Sequence, residues 1–323
     1  MTADEHRPNL LQGWFPYTTI PFIANASMYG FATAELATAV SRAKGFGFIG
    51  GGFDFAAQSR QLQELDSELT KARSLLKITA LDEKLPLGVG FITFRPVGFV
   101  ENVIPILLKH RVAGIWLAFP TAGADHAPII SAIRATRERE GWNVRSFVQV
   151  GTVKAAKEAV EQGADILVVQ GGDAGGHQWA QGASAIALVP EVNDLLSMMG
   201  KATEVSVVAA GGIVDGRGCV AALGLGADGV VMGTRFLATI ECPAPLFTKK
   251  TLVSITDGAS STIKSRQHDV FQSTDFWPVE FDGRAVIGPS YEDFEKGMSD
   301  SENVAKYNKA RENGNDERRI IWA

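Results

Sequence analysis

The sequence predicts an α/β fold: a (β/α)8 TIM barrel with a smaller, mainly helical accessory region near the C-terminus. Three observations carry this. Eight short apolar runs alternate with helical patterns between residues 17 and 232, and such alternation builds right-handed βαβ units on a parallel sheet. Several of the runs are apolar almost throughout, as strands covered on both faces are. One phrase also repeats. Gly163-Ala164-Asp165-Ile166-Leu167-Val168-Val169-Gln170-Gly171 is echoed by Gly226-Ala227-Asp228-Gly229-Val230-Val231-Met232-Gly233, about two βα units further on. Each copy reads as a helix end, a tight turn, a buried strand and a Gly-rich exit.

The strands are expected at 17–24, 46–50, 87–93, 114–118, 145–150, 166–170, 205–209 and 229–232. Helical patterns fall between them at 33–43, 62–76, 100–109, 127–140, 153–162, 189–199 and 216–223. After Met232 the pattern changes. Residues 241–300 carry Pro243, Pro245, Pro278 and Pro289, several turns and few clean strands. They read as a helical region beside the barrel mouth. Residues 299–319 are polar and charged and read as an exposed helix followed by a loop. The expected division is therefore a barrel over 1–240 and an accessory region over 241–323.

Composition excludes several classes. With 46% apolar and 21% charged residues over 323 positions, the chain is an ordinary folded protein. Lys plus Arg number 31 against 36 Asp plus Glu, a net charge of −5, which argues against a dedicated nucleic-acid binder. The two cysteines, Cys219 and Cys242, make neither a disulfide scaffold nor a Cys-rich zinc site. They read as thiols of a reducing compartment. No apolar run reaches the roughly 18 residues of a membrane helix. Residues 1–11 show no signal-peptide core, and 318–323 show no peroxisomal or prenylation tail. A cytoplasmic monomer or homodimer without membrane attachment is the expectation. His6, His110, His126, His177 and His268 are scattered, so no metal site is expected.

Two glycine motifs are discounted. Gly45-Phe46-Gly47-Phe48-Ile49-Gly50 matches G-x-G-x-x-G, but it follows a helix and is itself the strand, where a dinucleotide loop must follow a strand and open a helix. Gly224-Leu225-Gly226-Ala227-Asp228-Gly229 precedes a strand and so lies on the stability face of a barrel. The chemistry is expected at the opposite ends. Gly171-Gly172-Asp173-Ala174-Gly175-Gly176-His177 leaves the sixth strand, and its glycines let backbone approach a ligand. His177 is placed for general base work or for hydrogen-bonding an anion. Asp173 either orients this loop or caps backbone N–H groups. Gly211 and Gly212 follow the seventh strand, and Gly233 and Thr234 follow the eighth. Barrel phosphate sites are commonly built there, from backbone N–H groups and a helix N-terminus. Asn25 and Met28 close the first strand. Asn25 offers a hydrogen bond to a flat ring and Met28 a surface for it, although on spacing alone Met28 reads as core. Gln149 and Gln170 end strands five and six with amides aimed at the mouth. His126 follows the fourth strand and reads as structural.

Together these segments resemble the nitronate monooxygenase (2-nitropropane dioxygenase) family. The likeness runs from about Pro21 to Thr239 and is most specific in 172–177, in Ala210-Gly211-Gly212-Ile213 and in 226–236. It implies an FMN-binding barrel in which His177 matches the active-site histidine. It implies that Gly211, Gly212, Gly233 and Thr234 hold the FMN phosphate, that Gln149, Gln170, Gly175 and Gly176 line the flavin, and that Met28 lies under its ring. The implied reaction oxidises an alkyl nitronate with O2 to a carbonyl compound and nitrite; where a neutral nitroalkane is accepted, His177 removes its α-proton. Where many members carry Ala-Pro-Met, this chain has Ala26-Ser27-Met28. Ile320-Ile321-Trp322-Ala323 resembles the start of a segment that in relatives runs on into a Gly-rich loop near the flavin. FMN-dependent NADH:quinone reductases and enoyl reductases share the Gly-Gly-His pattern and form the alternative reading. A flavin-binding protein without turnover is a third. A flavin-free barrel of the inosine monophosphate dehydrogenase type needs a nucleophilic cysteine at the barrel top, where neither Cys219 nor Cys242 falls.

Overall fold

The computed structural model describes residues 9–121 and 125–323. His6 and residues 122–124, within the stretch that leads to His126, lie outside the described residues. The strands run in chain order as β1 Phe22–Asn25, β2 Gly47–Gly52, β3 Leu85–Ile92, β4 Val112–Ala118, β5 Arg145–Val150, β6 Ile166–Gln170, β7 Gly176–Trp179, β8 Ser206–Ala210, β9 Gly229–Met232, β10 Thr262–Ser265 and β11 Phe281–Val286. Eight of them form one parallel sheet in the order β1-β9-β8-β6-β5-β4-β3-β2. A bridge between Ala24 and Phe46 closes it into a barrel. The Asn25 carboxamide strengthens this seam, donating to the Phe48 carbonyl at 2.8 Å and accepting from the Phe48 N–H at 2.9 Å.

Helix α1 Leu10–Trp14 lies beneath the barrel, and α2 Ala34–Arg42, α3 Arg60–Leu76, α4 Ile104–His110, α5 Ala127–Glu140, α6 Val153–Gln162, α7 Ala185–Met198 and α8 Gly216–Gly224 flank it. Their boundaries follow local chemistry. Thr152 Oγ1 accepts from the Ala155 N–H at 3.0 Å to start α6, and Gly163 at φ +94° ends it. The repeated Gly-Ala-Asp phrase has one physical meaning in both copies. Asp165 Oδ2 accepts from the N–H and hydroxyl of Ser146 at 2.8 and 2.9 Å. Asp228 Oδ2 accepts from the Ser206 hydroxyl at 2.6 Å and the Val207 N–H at 2.8 Å. Each aspartate clamps the start of the neighbouring strand. The discounted glycine run is the barrel wall: a Cβ on Gly47 would lie 2.0 Å from the Ala37 carbonyl, so only glycine lets α2 pack there.

The core has two layers. One lies between strands and helices, with Val89, Leu117 and Val207 against Leu62, Leu107 and Val192. The other fills the barrel with Phe46, Phe48, Trp116, Phe147, Val168 and Val208. Phe15 plugs the floor, with ring centroids 4.5 Å from Phe46 and 6.0 Å from Phe147. This corrects the expected first strand at 17–24. Residues 15–20 form the plug and its turn, and pairing begins only at Phe22, after a proline that has no N–H to give a ladder.

The C-terminal region contains α9 Thr234–Leu237, α10 Leu246–Ser254, α11 Gly258–Ser261, α12 Gln267–Gln272, α13 Pro289–Glu295 and α14 Asp300–Glu312. It also holds a second, antiparallel sheet in the order β10-β11-β7, which the sequence reading did not contain. Its third strand is the loop after β6, so the His177 segment is a strand. Helix α14 is not fully exposed: Asn303 and Tyr307 are buried. No helix among the described residues is long and apolar enough to cross a membrane.

Candidate active site

Large side chains fill the lower barrel, whereas the upper ends of the strands carry Gly90, Ala118 and Ala210. The result is a cavity of about 1040 Å³ at the C-terminal ends of the strands. It is larger than the roughly 300–1,000 Å³ of ordinary small-molecule pockets. Met28, Gln149, Gln170, Gly175, Gly176, His177, Gly211, Gly212, Gly233 and Thr234 all line it. Asn25 does not. It is fully buried, and its amide is spent on Phe48 and, at 3.0 Å, on the Ala26 carbonyl. Ser27, where the family's proline would stand, ties the turn before Met28 by donating to the Ile49 carbonyl at 3.1 Å.

Gly211 and Gly212 have φ of +104° and +68°. A Cβ on Gly211 would lie 3.0 Å from the Gly171 carbonyl and 3.1 Å from the Ala174 nitrogen. The loops after β6 and β8 therefore interlock in a way only glycine permits. Beside them, at the end of the adjacent strand β9, Gly233 leads into α9, whose first residue is Thr234. Gln149 Nε2 donates to Gln170 Oε1 at 2.7 Å, and Gln170 Nε2 to the His177 carbonyl at 3.2 Å. This chain of amides holds three neighbouring strand ends in one geometry. Asp173 takes the capping role, accepting from the Ala185 N–H at 3.0 Å where α7 begins.

His177 sits on β7 opposite Gly283 of β11. Its Nε2 lies 3.0 and 3.1 Å from the two carboxylate oxygens of Asp269 on α12. Asp269 is 4% exposed at its side chain and His177 15%. Thr274 Oγ1 donates to Asp269 Oδ1 at 3.1 Å. The imidazole stacks on Trp277, with centroids 3.8 Å apart and planes at 10°, and Trp322 lies 4.6 Å away. Sequence reasoning missed Asp269 and Trp277, and placed Trp322 near the site only through the family resemblance. The one local signal was the alternation of Phe281, Gly283 and Ala285 with Asp282 and Arg284, which marks a strand able to bring its neighbours to the mouth.

Burial sets the character of several other titratable groups. Burial pushes both the Cys219 and Cys242 thiols up, so neither is a ready thiolate. Burial pushes Asp282 up although Lys264 lies 3.3 Å away, and it pushes His268 down. His126 is buried, with its Nε2 2.6 Å from Thr93 Oγ1, and does not line the cavity. Among the described residues no group of three or more metal-ligating side chains could hold a metal ion.

The cavity has the size and lining to take a flavin. A glycine cradle lies on one side, glutamine amides and small residues line it, and two buried polar atoms in its wall, Trp116 Nε1 and Thr248 Oγ1, have no partner among the described residues.

The family profile "Nitronate monooxygenase" matches residues 130–266, the span that holds His177 and the glycine cradle. A nitronate monooxygenase of Neurospora crassa is 42% identical over 97% of this chain and 85% of its own length. The nitronate monooxygenase npaC of Metarhizium robertsii is 37% identical over 88% of this chain and 77% of its own. The solved structure of a nitroalkane oxidase from Streptomyces ansochromogenes superposes with a TM-score of 0.71 at 21% identity, over 98% of this chain and 91% of that one, a likeness of fold. Identity at this level across nearly the whole length places the chain in the nitronate monooxygenase family, a family of oxidoreductases.

Proposed function

We propose that this protein oxidises alkyl nitronates, and neutral nitroalkanes after their deprotonation, with O2 to a carbonyl compound and nitrite, using FMN held at the barrel mouth. The observation that carries the reading is His177. It is an imidazole in a cavity wall, tied through one nitrogen to a buried carboxylate and stacked on an indole. Gly211, Gly212, Gly233 and Thr234 would hold the phosphate through backbone N–H groups. Gln149 and Gln170 would read the polar edge of the ring, and Met28 would pack beneath it. FMN, when bound, supplies the electron transfer between substrate and O2.

The protein's own residues do the rest. A nitronate has no α-proton to give, and His177 then serves as part of the cavity wall beside it. With a neutral nitroalkane it takes the α-proton: the C–H bond breaks and its electron pair stays on the substrate as the nitronate. Phe53, Phe94, Phe276 and Trp277 line the same cavity with apolar surface, which favours the alkyl part of the substrate and keeps water from the reacting carbon.

The test is anaerobic. Purified protein should be yellow. An alkyl nitronate should bleach it rapidly, NADH should not, and readmitting O2 should release nitrite. Bleaching by NADH with no response to nitronate would overturn the reading in favour of a quinone or enoyl reductase. A flavoprotein inert to all three reagents would be a binding protein.

A further inference from the structure

We infer that Asp269 is the positioning residue that holds His177 with its ring proton on Nε2, leaving Nδ1 as the base that a neutral nitroalkane requires. The inference rests on the proposed function above. A carboxylate only accepts hydrogen bonds, and a neutral imidazole has one donor and one acceptor nitrogen. Both oxygens of Asp269 lie within 3.1 Å of His177 Nε2. Nε2 therefore carries the proton, and the lone pair sits on Nδ1, for which the structure gives no protein partner among the described residues. The arrangement is braced from several sides. Thr274 Oγ1 fixes one carboxylate oxygen at 3.1 Å. Trp277 lies flat against the imidazole at 3.8 Å, so the ring cannot swing without losing that stack. When Nδ1 accepts the α-proton, the positive charge that forms faces a buried carboxylate, which stabilises it. Asp269 touches no substrate and acts only through His177. It comes from α12, beyond residue 266, where the family profile ends.

The inference separates two substrates. A neutral nitroalkane must lose a proton to His177, and positioned general base catalysis contributes about 10²–10⁴-fold. A preformed nitronate has no proton to give. In the FMN-loaded enzyme, Asp269→Asn is expected to lower kcat/KM for neutral nitroethane about 100-fold or more, while ethyl nitronate changes by no more than about threefold. Asp269→Glu should recover part of the loss. Nitrogen-15 NMR of the ring reads the tautomer directly: Nε2–H in the unaltered protein, a mixture in Asp269→Asn. Equal losses on both substrates, or loss on neither, would show a carboxylate that merely holds α12 and would overturn the inference. Unaltered enzyme that uses the nitronate but no neutral nitroalkane would overturn it too, with the proposed function intact. If unaltered enzyme turns over neither compound, the proposed function fails, and the tautomer alone decides: Nδ1–H in the unaltered protein sinks the positioning role, and Nε2–H lost in Asp269→Asn upholds it.

Discussion

At the scale of one residue, burial and backbone angle decide most of what a side chain can do. His126 is 1% exposed, and burial pushes its imidazole down to about 4. Thr93 Oγ1 gives its hydrogen to the Ala118 carbonyl at 2.7 Å, so His126 Nε2 is the donor in the 2.6 Å contact between them. An unfolded histidine takes up a proton near 6.5, while the folded one resists until about 4. Across that window the unfolded chain binds more protons, so stability is complete above about 6.5 and drains away as pH falls toward 4, by at most roughly 3 kcal/mol. Melting curves at pH 7, 5.5 and 4.5 should show that decline, and His126→Gln should flatten it; an unchanged slope in the variant would refute it. Gly211 carries the second prediction. Alanine there meets both a left-handed φ and a carbonyl at 3.0 Å. The expected cost is about 1–3 kcal/mol, read as looser binding of the proposed FMN in a fluorescence titration. That His177 lines the cavity was legible from its glycine frame, and that Gly211, Gly212 and Gly233 do so from their place after two strands. Asn25 was not. An amide at a strand end can face the mouth or the adjoining strand, and the choice follows from the gap at the barrel seam, which no local pattern encodes.

At the scale of elements, the apolar runs marked the barrel strands well because such strands are buried on both faces. The small sheet escaped for the opposite reason. β7 is Gly176-His177-Gln178-Trp179, short and mixed, and it pairs with Phe281-Asp282-Gly283-Arg284 from the far side of the chain. Asp269 was invisible on the same ground: its contact with His177 spans 92 residues. The repeated Gly-Ala-Asp phrase was legible as a repeat, but its function as a strand clamp appears only with the neighbouring strand in place. That clamp is testable. Asp228→Ala removes the acceptor from the Ser206 hydroxyl and the Val207 N–H, and Ser206 is fully buried. Leaving such donors without a partner costs about 1–3 kcal/mol. The variant should melt earlier by that amount while keeping its flavin spectrum, because the clamp lies at the end of the barrel remote from the cavity. Loss of flavin with an unchanged melt would place the clamp wrongly.

At the scale of the molecule, the cavity is shared. Barrel loops supply Gly211, Gly212, Gly233 and Thr234, while Gln272, Trp277 and Arg284 reach it from beyond residue 240. We treat residue 240 as the boundary between barrel and accessory region, and the shared cavity ties the two together. Arg284 shows the link: its guanidinium donates to the Gly172 carbonyl at 3.3 Å and to Thr262 Oγ1 at 3.2 Å, joining the His177 loop to β10. A ligand that fills the cavity therefore stabilises both parts. Binding to the folded state alone adds RT ln(1 + [L]/Kd), about 2.7 kcal/mol at one hundred times Kd. Stripping the proposed FMN should lower the melting temperature, and restoring it at that excess should return the loss. Hydrogen exchange then shows where the stabilisation falls. Protection should rise in the loops after β8 and β9 and also in β7 and α12, because the accessory region holds the histidine over the site. Protection confined to the barrel loops would mean that the accessory region stands independent of the cofactor, and the coupling would be refuted.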